Sequence, residues 1–314
     1  MHIGFAVPIS GGWATPDNVL RLVGRAEELG YRSVWTLQRL LVPEHPSERG
    51  GNVAYRAILD AIVPLAFLAG QTSRIRLGLS VVNMPFISPA VLAKQLTTLD
   101  ILSGGRLDVG LGIGWMPQEY AAAGAPYRRR GARAEEFIAA LRALWTQEVV
   151  EFHGEFYEIP RSRVEPKPLQ RPHPPLLLGG AADAALRRAG RLADGWASSS
   201  GADLQRLGDS IQVVREAALQ AGRDPADLRF VCRGPLWVRP AGQAARRPLT
   251  GSFEEIRRDL DDLREQGVTE VFLDMNYDPE IVAPGADPAE SLRRAELALE
   301  ALAPAPPGSA AGER

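Results

Sequence analysis

The sequence predicts an α/β protein built as a (β/α)8 (TIM) barrel. Eight short apolar segments alternate with eight segments of helical periodicity, a pattern that specifies parallel strands joined by crossover helices. Two long connections, 37–55 and 114–130, each follow a strand, which places both on the C-terminal face where barrels carry their chemistry. The 314 residues, 45% of them hydrophobic, suffice for one such barrel with insertions.

The elements follow in order. His2 to Val7 alternates into a strand, and Thr15 then caps a helix that has Pro16 at its first position. Val19, Leu22, Val23, Ala26 and Leu29 form that helix's apolar stripe, and Gly30 ends it. Ser33-Val34-Trp35 is the second strand. Arg56 to Gly70 reads as a helix, with Leu59, Ile62, Val63 and Ala66 at helical spacing. Ile75 to Val82, rich in β-branched residues, is the third strand, and Ser88-Pro89 opens a helix that runs to Leu102. Leu107 to Ile113 and Arg133 to Trp145 make the fourth pair. The second half gives strands at 176–178, 195–198, 228–238 and 270–274, with helices at 182–192, 203–221, 252–266 and 288–302. An insertion at 146–175 carries a hairpin at 149–159. The expected organisation is a single barrel domain over 1–302, followed by a Pro/Ala/Gly-rich, disordered tail at 303–314.

Composition excludes several classes. Net charge is −2, with 36 Lys+Arg and 38 Asp+Glu intermixed, so no nucleic-acid or membrane surface is expected. The dense triplet Arg128-Arg129-Arg130 reads as a solvated helix start. The single cysteine, Cys232, sits in an apolar run and reads as a buried inert thiol. The N-terminus has no basic region or cleavage pattern, and no apolar run reaches bilayer length, so a soluble cytoplasmic protein is expected. The four histidines are scattered, with no metal-ligand spacing, and no nucleophile elbow is present.

One stretch carries the most chemical information. Leu176-Leu177-Leu178 reads as a buried strand, Gly179-Gly180 as a sharp turn, and Ala184 to Ala189 as a helix that begins at once. Amide groups at a helix N-terminus with no side chain before them form an anion site, suited to a cofactor phosphate. The glycines of Gly110-Leu111-Gly112-Ile113-Gly114 are not a dinucleotide fingerprint, since no helix begins at the third. They suggest a flat ligand against a strand end.

Taken together, several motifs resemble the luciferase-like monooxygenase superfamily. They are Thr72-Ser73-Arg74-Ile75-Arg76-Leu77-Gly78, Leu92 to Asp100, Leu102-Ser103-Gly104-Gly105-Arg106-Leu107 and Gly110 to Trp115. His153-Gly154-Glu155-Phe156-Tyr157, Gly179-Gly180 and Ala193-Asp194-Gly195-Trp196 complete the set. The resemblance runs from the first strand to the last helix and implies a bacterial-luciferase-like barrel that uses FMN or the deazaflavin F420. It is closest in kind to F420-dependent members. It implies that Gly179, Gly180 and Ala181 hold the cofactor phosphate, and that Ser80-Val81 carries a non-proline cis peptide behind the ring. Gln38 and Gly112 complete the implied cofactor contacts. Trp115 either covers the ring or belongs to the core.

Two positions depart from the F420 pattern. Relatives often carry a histidine shortly after the tryptophan of strand two; here Trp35 is followed by Thr36-Leu37-Gln38-Arg39, with Arg39 at that place. Phe86-Ile87-Ser88 lacks the usual arginine before Pro89. Arg39 stays protonated and cannot act as a base, but it can stabilise a developing anion. Glu119 and His45 are the candidates for proton transfer, against the alternative that each is a plain surface residue. The leading expectation is F420-dependent hydride transfer to or from a small organic substrate. The alternatives are an FMN-dependent monooxygenase served by a separate flavin reductase, and a lapsed barrel that binds flavin without turnover. Leu40, Leu41, Tyr55, Phe86, Trp115 and Tyr277 suggest a hydrophobic or mixed substrate. A homodimer is implied through the second and third barrel helices, which contain Ile58, Ile62 and Leu65, and Leu92, Leu96 and Leu99.

Overall fold

A computed structural model of the chain describes residues 1–45 and 52–305. Eight parallel strands close into a ring: β1 (His2–Ala6), β2 (Ser33–Thr36), β3 (Arg76–Asn83), β4 (Leu107–Gly112), β5 (Leu176–Gly179), β6 (Gly195–Ala197), β7 (Arg229–Pro235) and β8 (Glu270–Asp274). Each strand pairs with its successor, and β8 closes on β1 with His2 opposite Glu270. The outer helices are α1 (Pro16–Glu28), α2 (Val63–Ala69), α3 (Pro89–Leu102), α4 (Arg130–Thr146), α5 (Asp183–Leu192), α6 (Leu207–Gln220), α7 (Phe253–Glu265) and α8 (Pro288–Ala301). This is the barrel that the sequence predicts. The caps form as read: Thr15 accepts from the Asn18 amide at 3.3 Å and Ser88 from the Val91 amide at 3.2 Å. The insertion carries Val150–His153 paired antiparallel with Glu158–Ser162.

Two expectations change. The helix expected at 56–70 begins only at Val63. Its first half pairs instead with the segment after β1: the Leu59 amide donates to Ile9 O at 2.8 Å and Ile58 bridges Ser10. Asp60 then takes the Ile62 and Val63 amides at 2.7 and 2.9 Å, starting the helix there. The strand expected to reach Val238 leaves the ring at Pro235, because Trp237–Val238 pairs with Thr250–Gly251. Of the residues on the second and third barrel helices, Leu65, Leu92, Leu96 and Leu99 are buried in the chain's own core and Ile58 and Ile62 are partly buried against it, while Val63, Phe67 and Val91 face outward. Residues 46–51 of the expected loop and 306–314 of the expected tail lie outside the described residues; 303–305 carry no regular secondary structure.

Strand alternation sorts the side chains. Outward residues such as Leu77, Val109, Phe230 and Val271 pack under the helices in the main core. Inward residues fill the ring in layers. In the middle layer Trp35 stacks on Phe272, with ring centroids 5.1 Å apart and planes 17° apart, among Ala6, Leu177, Ala197 and Val231. Gly78 makes room for it, since a Cβ there would lie 2.3 Å from the indole. Below, at the N-terminal end, lies a layer of charge. Asp108, fully buried, takes Arg76 at 2.6 and 2.8 Å and Arg229 at 2.6 and 3.1 Å. Arg229 also reaches Glu270 at 2.9 Å, and Glu270 accepts from the Trp35 indole at 3.1 Å.

Burial alone would raise the Asp108 carboxyl, but Arg76 and Arg229 outweigh it and hold it below the ordinary 3.8. Its contribution is therefore complete above the unfolded-state value and is lost as pH falls through the lower folded-state value. Asp108→Asn leaves Arg76 without a carboxylate partner and Arg229 with Glu270 alone, and should cost about 3–5 kcal/mol at pH 7 by urea unfolding. The gap to wild type should close as pH falls below about 4. A gap that persists unchanged into acid would show that the charge is not what matters there.

Candidate functional site

The strand C-termini surround a cavity of about 330 Å³, within the size range of small-ligand sites. On one side lies the glycine turn. Gly179 ends β5, Gly180 follows with φ of +142°, and α5 begins at Asp183 with Ala182 as its N-cap. No side chain caps that helix, and Gly179, Gly180, Ala181 and Ala182 all line the cavity. The turn admits only glycine at 180, where a Cβ would meet the Ala185 methyl at 2.6 Å. The Trp196 indole holds the turn from below by donating to Gly180 O at 2.7 Å. Asp183 adds a negative charge to the first turn, offset by Arg187 at 2.8 Å. The arrangement keeps the amides at the helix start available to an anion.

Beside the turn, the Ser80–Val81 peptide is cis, and both residues line the cavity, with a Val81 methyl 3.0 Å from where a Gly179 Cβ would lie. The β3–β4 register shifts between Leu79 and Val82, which brings Val81 against β4. A Cβ at Gly112 would lie 2.5 Å from a Val81 methyl, so glycine there accommodates the irregular strand. Gln38 also lines the cavity and accepts from the Asn83 amide at 2.8 Å.

Arg39 and Trp115 both line the cavity, and the guanidinium sits 5.1 Å from the indole centroid and 4.3 Å from the Tyr55 ring centroid. Glu119 is drawn to Arg39 but stands behind it. It is 1% exposed, with one oxygen on Arg39 Nη1 at 2.6 Å and the other on the Leu40 amide at 2.7 Å. With both oxygens engaged and no place among the cavity's lining residues, Glu119 anchors the loop after β2. His45 is exposed on that loop and is not among the lining residues. Neither proton-transfer candidate reaches the cavity. Of the loop residues offered for substrate contact, Tyr55, Trp115 and Tyr277 line it; Leu40, Leu41 and Phe86 do not.

Sequence reasoning passed over Arg233. It is 5% exposed, on β7, with Nη1 donating to Tyr277 Oη at 3.1 Å and Nη2 to the Ser80 carbonyl. Asp274 Oδ2 stands 3.8 Å from its Nε, beyond hydrogen-bond reach, and Nε has no hydrogen-bond partner among the described residues. Burial would lower the guanidinium, but Tyr277 and Asp274 keep it charged, while burial pushes the Asp274 carboxyl up. Tyr277 Oη in turn donates to Tyr55 Oη at 3.3 Å. Burial opposes ionisation of both phenols. At Tyr55 it is outweighed by hydrogen bonds from Tyr277 and Ser200 and by the charges of Arg39 and Arg233, so Tyr55 ionises first, below the ordinary tyrosine value. Tyr277 is pushed up. The signal for Arg233 lay in the alternation of Arg229, Val231 and Arg233, which puts an arginine inside the ring.

The family model for luciferase-like monooxygenases matches residues 2–299. An uncharacterized protein of Mycobacterium tuberculosis is 32% identical over 289 residues, covering 89% of this chain and 92% of that protein. The FMNH(2)-dependent dimethylsulfone monooxygenase of Pseudomonas putida is 37% identical over 158 residues, covering 49% of this chain and 43% of its own length. The F420-dependent glucose-6-phosphate dehydrogenase of Amycolatopsis mediterranei is 31% identical over 218 residues, covering 68% and 62%. Among solved structures, the monooxygenase RslO1 of Streptomyces bottropensis superposes with a TM-score of 0.76 at 27% identity, covering 96% of this chain and 98% of that one.

The buried Arg39–Glu119 pair separates an anchor from a base. Glu119→Gln leaves the guanidinium without its counter-charge and should lower unfolding free energy by about 3–5 kcal/mol in urea titrations. A fully stable variant would return Glu119 to the list of candidate bases.

Proposed function

The chain belongs to the luciferase-like monooxygenase family, and within that family we propose that it is an F420-dependent oxidoreductase acting on a small organic substrate. One observation carries the reading: the cavity at the strand C-termini joins bare helix-start amides at Gly180–Asp183 to two buried guanidiniums, Arg39 and Arg233. That is a site for a flat group with an anionic tail, and it contains no nucleophilic cysteine or histidine among its lining residues. The preference for F420 over FMN rests on the wider match to the F420-dependent relative, 68% of this chain against 49%.

The residues present fit such a cofactor. The amides after Gly180 would take its phosphate, and Ser80, Val81, Gln38 and Gly112 would border its ring. Bound there, the cofactor supplies hydride transfer, and the protein supplies orientation and electrostatics. Arg39, held by Glu119, presents fixed positive charge to an anion developing in the cavity. Trp115 and Tyr55, packed about that guanidinium, exclude water. A second reading, an FMN-dependent monooxygenase fed by a separate reductase, is favoured by the 37% identity to the dimethylsulfone enzyme over 158 residues.

Anaerobic titration with reduced F420 and with reduced FMN decides between them. F420 should bind saturably and support oxygen-independent turnover, the reduced form on ketones and the oxidised form on alcohols. Saturable FMNH₂ binding with oxygen-dependent product would favour the second reading. Ala181→Asp, which sets a carboxylate before the helix amides, should weaken cofactor binding at least about tenfold while leaving the circular dichroism spectrum unchanged. Undiminished affinity in that variant would place the anionic tail elsewhere.

A further inference from the structure

Neither Glu119 nor His45 reaches the cavity, so proton transfer needs another group. We propose that Tyr55 is the catalytic acid and base of this site, exchanging its proton with a carbonyl or hydroxyl oxygen of the substrate, and that Tyr277 and Arg233 position it. The inference rests on the redox reading above.

Arg233 has donors and no acceptor, so at Nη1 it can only give to Tyr277 Oη, at 3.1 Å. The Tyr277 hydrogen is then free to point onward, and Tyr55 Oη accepts it at 3.3 Å, with the Ser200 hydroxyl beside both phenols. Tyr55 Oη is therefore filled as an acceptor on that side, and its own hydrogen is left for the cavity that both phenols line. The contact is long, as such contacts are before a ligand compresses a site. The charged groups around Tyr55 come from four elements. Arg39 lies over its ring at 4.3 Å, with Glu119 behind; Arg233 stands beyond Tyr277, with Asp274 at 3.8 Å. The Tyr55 and Tyr277 rings meet edge to face, with centroids 5.9 Å apart, which fixes the dyad mechanically as well. Two guanidiniums and two donor hydroxyls, those of Tyr277 and Ser200, favour the Tyr55 phenolate.

When bound, the reduced cofactor would supply a hydride, with its electron pair, to a carbonyl carbon and would itself be oxidised. The carbonyl oxygen, gaining the π pair, would take the Tyr55 proton. The O–H bonding pair would stay on Tyr55 as phenolate, held by Tyr277 and faced by Arg39. A solvent proton restores the phenol. Alcohol oxidation is the reverse.

The dyad is tested first on the unloaded, full-length protein by ultraviolet difference titration at about 295 nm. Wild type should show one phenol ionising below the ordinary value of about 10. That step should vanish in Tyr55→Phe and move up in Tyr277→Phe. A wild type with every phenol at or above 10, or a Tyr55→Phe variant that keeps the early step, overturns the proposal. In turnover with reduced F420 and short ketones as probes, Tyr55→Phe should lose roughly 10²–10⁴-fold in kcat with F420 affinity held within about twofold. It should also lose the basic limb of the pH profile. An unchanged kcat and profile would equally overturn it. Failure of the wild type to bind either cofactor would sink the redox reading alone, because the phenol titration needs neither.

Discussion

A ring of eight parallel strands encloses a space only a few side chains wide, and in this chain an indole lying across it governs what every layer can be. Trp35 stacked on Phe272 seals the middle of the ring. The neighbouring strand must yield at the position paired with Trp35, and Gly78 stands there. Beneath the seal, the buried carboxylates of Asp108 and Glu270 meet the half-buried guanidiniums of Arg76 and Arg229, and the four satisfy one another. Above it opens the cavity, which Ala197 of this layer helps to line. The same plug that stabilises the base of the barrel sets the depth of the site, so packing and chemistry share one cause.

The mouth of the barrel is built from positive charge held at different degrees of neutralisation. Arg39 has a full counter-charge in Glu119. Arg233 has only a distant one in Asp274 and spends its hydrogen bonds on a phenol and a main-chain carbonyl. Low dielectric strengthens both fields. Electrostatic preorganisation of this kind suits reactions in which charge appears transiently on a substrate oxygen.

Much of this was legible in the residues. The eight strands announced themselves because each is buried on both faces and reads as an apolar run between turn signals. Ser80-Val81 and Gly179-Gly180 were identifiable as lining residues because their motifs are local. The second helix was misjudged at its start because Ile58 and Leu59 follow helical spacing yet pair with Ser10 and Ile9, a contact between segments that no periodicity encodes. The pairing of Arg39 with Glu119 spans 80 residues and that of Tyr55 with Tyr277 spans 222, so a single sequence names the partners without joining them. Arg233 was the exception: strand alternation alone places it inside, and a charge at such a position is itself a sign of function.

The Arg39–Glu119 contact also constrains how this site can change over generations. A histidine at 39 would abandon the carboxylate at 119 in a dry setting, and a neutral residue at 119 would abandon the guanidinium. Single steps in either direction cross unstable intermediates. The two positions are therefore tied as one inherited unit, and lineages that carry histidine in place of Arg39 should differ at 119 as well.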